Sequence, residues 1–210
     1  MLETRIIVLS SALSCVLIVA NSKIAPPTDA SPADAKLQLK AAVVLTPTLC
    51  LRIDRPTFVD NFSTGKIFCE KVSPALEGTF SSLDRISDPS SPGQAQVVLL
   101  PRIVSVSRTQ KTFHYMADIV IEVEWTAKDS SGKMVWIETV QGHANDKEKL
   151  NIGADDKAYE HKQHYASPYD KVVDRVFRAA MQDLVEQSAS KMSASPELRR
   201  LAQQNPGSDK

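Results

Sequence analysis

Apolar and polar residues change their spacing several times along this chain, and each change marks an element. In AAVVLTPTLCLRI (41–53) apolar side chains fall at alternate positions through Val43, Leu45, Leu49, Leu51 and Ile53, the period of a half-buried strand. Pro47 has no N–H to give to a ladder, so this strand is expected at a sheet edge or with a bulge, and as an edge it is open to an added chain. From 66 to 83 the period lengthens to that of a helix through Phe68, Val72, Leu76, Phe80 and Leu83. Pro74 interrupts it, and two readings stay open: a helix capped by Ser73 with Pro74 in its first turn, or a longer helix kinked there. SDPSSPG (87–93) has the composition of a loop, and AQVVLLPRIVSVS (95–107) that of a strand carrying Pro101.

The clearest pattern is FHYMADIVIEVEWT (113–126), where every odd position from Phe113 to Trp125 is apolar while His114, Asp118, Glu122 and Glu124 occupy even ones. One face of this strand is therefore buried and the other wet. KDSSGK is a turn with Gly132 placed for a positive φ, and MVWIETVQG (134–142) returns as the second arm of a long antiparallel hairpin. Residues 144–166 are polar and predict a loop. SPYDKVVDRVFRAAMQDLVEQ (167–187) reads as a helix with Ser167 as cap and Pro168 in the first position, and its stripe is Val173, Phe177, Ala180, Met181 and Leu184. From about 189 on, the sequence suits at most one short helix, and no contribution to a core is visible. Together the elements predict an α+β fold: a mostly antiparallel sheet with a long central hairpin and helices packed on one face, a two-layer sandwich.

The amino terminus is organised differently. In MLETRIIVLSSALSCVLIVANSK, Arg5 precedes a mostly apolar run from Ile6 to Ala20 that ends in polar residues. This is the n-region, h-region and exit of a secretory signal, with a small-x-small cleavage site after Ser22. The run is shorter than the roughly 20 apolar residues of a membrane span, and retention as an uncleaved anchor is the alternative. The expected organisation is a signal peptide or membrane anchor (1–22), a Pro/Ala-rich linker (23–39), an α+β domain (40–188) and a polar C-terminal tail (189–210). Export to the periplasm, or to the periplasmic face of a bacterial membrane, is the expected location.

At 210 residues and 42% apolar content, one domain with a real core is the default. Lysine plus arginine and aspartate plus glutamate number 25 each, so the chain has no net field to gather phosphates, and nucleic acid is not an expected partner. Cys15 lies inside the first apolar run. Ser14 and the linker suit lipid attachment, whereas the order Ala12-Leu13 and the continuing run Val16–Ala20 suit loss with the signal or retention in an anchor, and the latter reading is preferred. Cys50 and Cys69 remain as an even pair, a disulfide candidate in an oxidising compartment and two buried thiols otherwise.

Candidate chemistry is sparse. No nucleophile elbow, P-loop or dinucleotide fingerprint occurs, and no cofactor is expected. His161 and His164, with Asp155, Asp156 and Glu160, have the spacing of metal ligands on a helix but equally that of a solvated loop. Glu122 and Glu124 share one side of a strand, which matches a carboxylate pair only if a cleft encloses them. Cys50 or Cys69 with His143 would give a thiol nucleophile, but an exported pair of cysteines favours a disulfide. Trp125 and Trp136 on the two hairpin arms suit core or cross-strand packing, and Asn61-Phe62-Ser63 is a lone glycosylation sequon.

The order of elements resembles that of small bacterial envelope lipoproteins: the auxiliary lipoproteins of ABC-type transport systems and the YajG-type and LptE-type outer-membrane lipoproteins. The residues that carry the resemblance are AAVVLTPTLCLRI, VSPALEGTFSSLDRIS with its aromatic Phe80, QAQVVLLPRIVSVS, the hairpin IVIEVEWTAKDSSGKMVWIETVQGHA and the helix YDKVVDRVFRAAMQDLVEQ, about two thirds of the chain. These motifs are structural, so no site residues transfer. The resemblance implies a non-enzymatic exported protein that assists transport or assembly of envelope components by contacting a membrane-protein partner, with a membrane tether if Cys15 is acylated. A soluble periplasmic module for a lipid or peptide is the second expectation, and a hydrolase or metal enzyme the third.

Overall fold

The computed structural model describes residues 36–57, 61–110, 117–146 and 168–204. Cys15 and the signal-like run, Phe113, Tyr115, His161, His164 and Ser167 lie outside these. Five strands form one mixed sheet: β1 (Leu37–Val44), β2 (Phe80–Ile86), β3 (Val97–Gln110), β4 (Ala117–Asp129) and β5 (Met134–Asp146), in the order β2-β1-β3-β4-β5. β1 runs parallel to both neighbours, and β3, β4 and β5 are antiparallel. The helices are α1 (Pro47–Cys50), α2 (Thr64–Leu76), α3 (Pro168–Ala194) and α4 (Pro196–Gln204). The last three pack on one face of the sheet, the α+β two-layer arrangement that the alternation predicts.

The hairpin is the centre of that core. Ala117, Ile119, Ile121, Val123, Trp125 and Ala127 are all buried, and Val140 and Trp136 join them from β5. On the helix side Val173, Val176, Phe177, Ala180, Met181 and Leu184 present the facing stripe. Trp125 spends its one polar group on Ser188, whose hydroxyl accepts the indole N–H at 3.0 Å and donates to the Leu184 carbonyl at 2.8 Å. Gly142 sits where α3 crosses β5: a Cβ there would overlap the Ala180 carbonyl and Leu184. Gly132 has φ +82 in the hairpin turn, as its position predicts.

Several expectations are corrected. β1 ends at Val44 and lies inside the sheet between β2 and β3, so it is neither an edge nor bulged at Pro47. Thr46 caps the Leu49 N–H and Pro47 opens α1, where a missing N–H costs nothing. Leu51 and Ile53 consequently leave the sheet and stand exposed. α2 starts at Thr64, not at Ser73; Pro74 falls in its last turn, and Phe80 and Leu83 belong to β2, which begins after a turn at 77–79. Pro101 is tolerated in β3 because β1 pairs only as far as Leu99, leaving no ladder on that side. β5 continues to Asp146 and α3 to Ala194. The stretch after 188 is no bare polar tail: Met192, Leu198 and Leu201 are buried in the core.

Candidate functional site

The most distinctive corner of the molecule is built by α1 and the first turns of α2. Gly65 lies so close to α1 that a Cβ would overlap the Leu49 carbonyl, and its N–H donates to the Arg52 carbonyl at 3.0 Å. One turn further along α2, Cys69 meets Cys50, and the two are disulfide-bonded with Cα atoms 5.7 Å apart, within the usual range for such a bond. Arg52 then clamps the chain to the sheet. Its guanidinium grips the Asp54 carboxylate at 2.8 and 3.0 Å and donates to the Ile103 carbonyl, where β3 has passed the end of β1. Leu51 and Ile53, on either side of Arg52, are exposed at 78% and 54%. The Arg52-x-Asp54 spacing was the signal for the clamp, but only the turn at Thr46-Pro47 makes it a corner instead of part of a strand.

Cys50 and Cys69, being bonded, hold no thiolate for a nucleophile, and His143 instead meets Asp118 at 2.8 Å across the outer face of the sheet. Glu122 accepts from the Ser105 hydroxyl at 2.7 Å and from the Gln141 amide, which together hold its carboxyl below the usual range. Glu124 pairs with Arg102 at 2.9 Å. The two carboxylates thus sit in cross-strand pairs on the outer sheet face, and among the described residues no wall stands opposite them to form a glycosidase-type cleft. Among the described residues no group of three potential ligands gathers for a metal.

Trp125, Phe68, Leu76, Met181 and Leu184 fill the space between helices and sheet. Two of the clefts among the described residues open at the rim of that layer. One, of about 230 Å³, opens between α2 and α3, with Asn61, Lys66, Glu70, Asp174 and Arg178 around the stacked rings of Phe62 and Phe177. The other, of about 280 Å³, lies between the hairpin turn and α4. Trp136 is buried, so both tryptophans are core residues, and Asn61 of the sequon is exposed beside a buried Phe62. No described helix is long and apolar enough to cross a membrane.

No protein-family model matches the chain, and no curated protein matches it. Among solved structures it is similar to a protein from Helicobacter pylori described as a homologue of a neuraminyllactose-binding haemagglutinin: 12% identity, 82% of this chain and 92% of that one, TM-score 0.46. It is also similar to a hypothetical protein from Chlamydia trachomatis, with 15% identity over 75% of this chain and 98% of that one, TM-score 0.40. A minor lipoprotein from Acinetobacter baumannii matches at 12% identity over 76% and 94% of the two chains, TM-score 0.35. At these values the likenesses say nothing of what this chain binds.

Proposed function

We propose that the chain is an exported, non-catalytic accessory protein of a bacterial envelope that assists transport or assembly by contacting a membrane-protein partner. The observation that carries this reading is the stapled corner: the Cys50–Cys69 bond and the Arg52 clamp fix a short irregular segment that presents Leu51 and Ile53 to solvent. A disulfide in a protein of this kind fits an oxidising compartment, and the apolar run after Arg5 fits delivery to one. Apolar side chains held rigidly at the surface suit a protein contact, because little conformational entropy is lost on docking. The resemblance of the element order to transport-auxiliary and outer-membrane lipoproteins points the same way.

Expression of the tagged chain in a Gram-negative host, with a photo-crosslinking residue in place of Leu51 or Ile53, tests both halves. Recovery in the envelope fraction, with a discrete crosslink to one membrane protein that is absent from probes at exposed sites such as Glu70, is expected. Full-length chain retained in the cytosol sinks the export reading. Export without a site-specific crosslink sinks the contact.

A further inference from the structure

The two edges of the sheet are treated differently. β5 is guarded by α3, whose Asp183 accepts the backbone N–H of His143 at 2.8 Å and whose Lys191 reaches Glu138 at 3.1 Å. β2, at the opposite edge, has β1 on one side and, among the described residues, no strand on the other. Ser81, Ser82, Asp84 and Arg85 are exposed, and Leu83 and Ile86 half-buried. An edge of this kind offers unpaired N–H and C=O groups to any strand of fitting side-chain order.

We propose that β2 is a homodimer edge: the β2 of a second copy of this chain pairs with it antiparallel about a twofold axis at Leu83, joining two five-stranded sheets into one. The proposal is independent of the export reading. The occupant follows from the side chains, because in a twofold antiparallel pair one residue faces its own copy and the flanking residues face each other in reverse order. An axis at Asp84 sets two carboxylates face to face, and an axis at Arg85 two guanidinium groups, both unfavourable when directly opposite. An axis at Ser82 sets each half-buried Leu83 opposite the exposed, polar Ser81 of the other copy. An axis at Leu83 avoids all three. Leu83 faces Leu83 of the second copy, each Ser82 hydroxyl faces an Asp84 carboxylate, and each Ser81 faces an Arg85 guanidinium.

The same axis continues the core. Val97, Ala41 and Leu83 are in register across β3, β1 and β2, with the first two buried against the helices. A Leu83 pair carries that apolar row across the axis and covers the side of Leu83 that the monomer leaves half open.

Sedimentation velocity on the purified chain across a concentration series is the test, with a reversible monomer–dimer equilibrium expected. Ser82→Asp, at an exposed position, sets the introduced carboxylate against Asp84 of the other copy, once on each side of the axis, and should weaken the dimer about tenfold or more, a change of about 1.4 kcal/mol. Adding Asp84→Lys turns both contacts into opposite-charge pairs and should restore it. Leu83→Cys, on the axis, should give a disulfide-linked dimer under mild oxidation, an independent reading that needs no charge change. A monomer at every concentration, a dimer indifferent to Ser82→Asp, or a double variant as weak as the single one overturns the proposal.

Discussion

Gly142 decides how closely α3 approaches the sheet, and nothing in its own neighbourhood of the sequence announces this. The overlap a Cβ would make is with backbone and Cβ atoms of Ala180 and Leu184, which cannot swing aside as a side-chain tip does. Gly142→Ala should therefore force α3 off β5 and cost about 3 kcal/mol, the upper part of the range for overpacking. Gly78→Ala, with open space around the added methyl, should be neutral or slightly stabilising in the same denaturant titration. Equal midpoints for the two variants would show that the contact yields. Glu122 is a milder case. Its folded-state carboxyl is held below the ordinary glutamate value of 4.5 by Ser105 and Gln141, so whatever it contributes is present above that value and fades as pH falls through its folded pKa. In thermal melts, the midpoint gap between parent and Glu122→Gln should close on acidification; it is small throughout, because the group is solvent-screened. The odd-numbered buried face around it was legible in sequence, since a period of two reports directly which side of a strand is dry. The glycine was not legible, because its constraint comes from a helix far along the chain.

At the scale of elements, Pro47, Pro74 and Pro101 each interrupt a pattern in the sequence, and each is resolved by its surroundings. Pro47 reads as strand material until Thr46 is seen capping the turn that follows; Pro74 falls in the last turn of α2, where the helix is ending anyway; Pro101 sits just beyond the reach of β1. Local periodicity cannot separate these cases, because the residues around Pro47 and Phe80 keep an apolar spacing that fits more than one element. The cysteines were easier, since an even pair behind a signal-like amino terminus reads most simply as a disulfide. Their bond closes a segment of 19 positions between α1 and α2, for which chain-entropy arguments give about 3 kcal/mol. Cys50→Ser with Cys69→Ser should lower stability by that order. Amide exchange should accelerate first in α1 and the early turns of α2, with β4 and β5 keeping their protection until global unfolding. Uniform acceleration through the hairpin would mean that the corner and the core unfold as one unit.

For the molecule as a whole, the largest departure from the sequence reading is where the domain ends. The stretch after 188 looks polar because α4 is short and carries Glu197, Arg199, Arg200, Gln203 and Gln204 around only two large apolar residues. Ser195 supplies the stop and the start: its hydroxyl accepts the Leu198 N–H at 3.2 Å, capping α4 where α3 finishes. That cap turns the chain so that Leu198 and Leu201 reach the core beside Met192, with α4 lying against β1. Burial of these three side chains is worth roughly 5 to 9 kcal/mol at 1.5 to 3 each, comparable with the whole stability of an ordinary domain, about 5 to 15 kcal/mol. Ending the chain after Ser188, the boundary that polarity alone suggests, should therefore abolish cooperative unfolding and expose apolar surface on α3, β1 and β5. Circular dichroism melts of the truncated chain beside the parent check this. The double variant Leu198→Ala with Leu201→Ala is the subtler measure, with an expected cost of about 4 to 10 kcal/mol from two buried truncations. A truncated chain that still melts in one sharp transition near the parent's midpoint would return α4 to the status of an appendage.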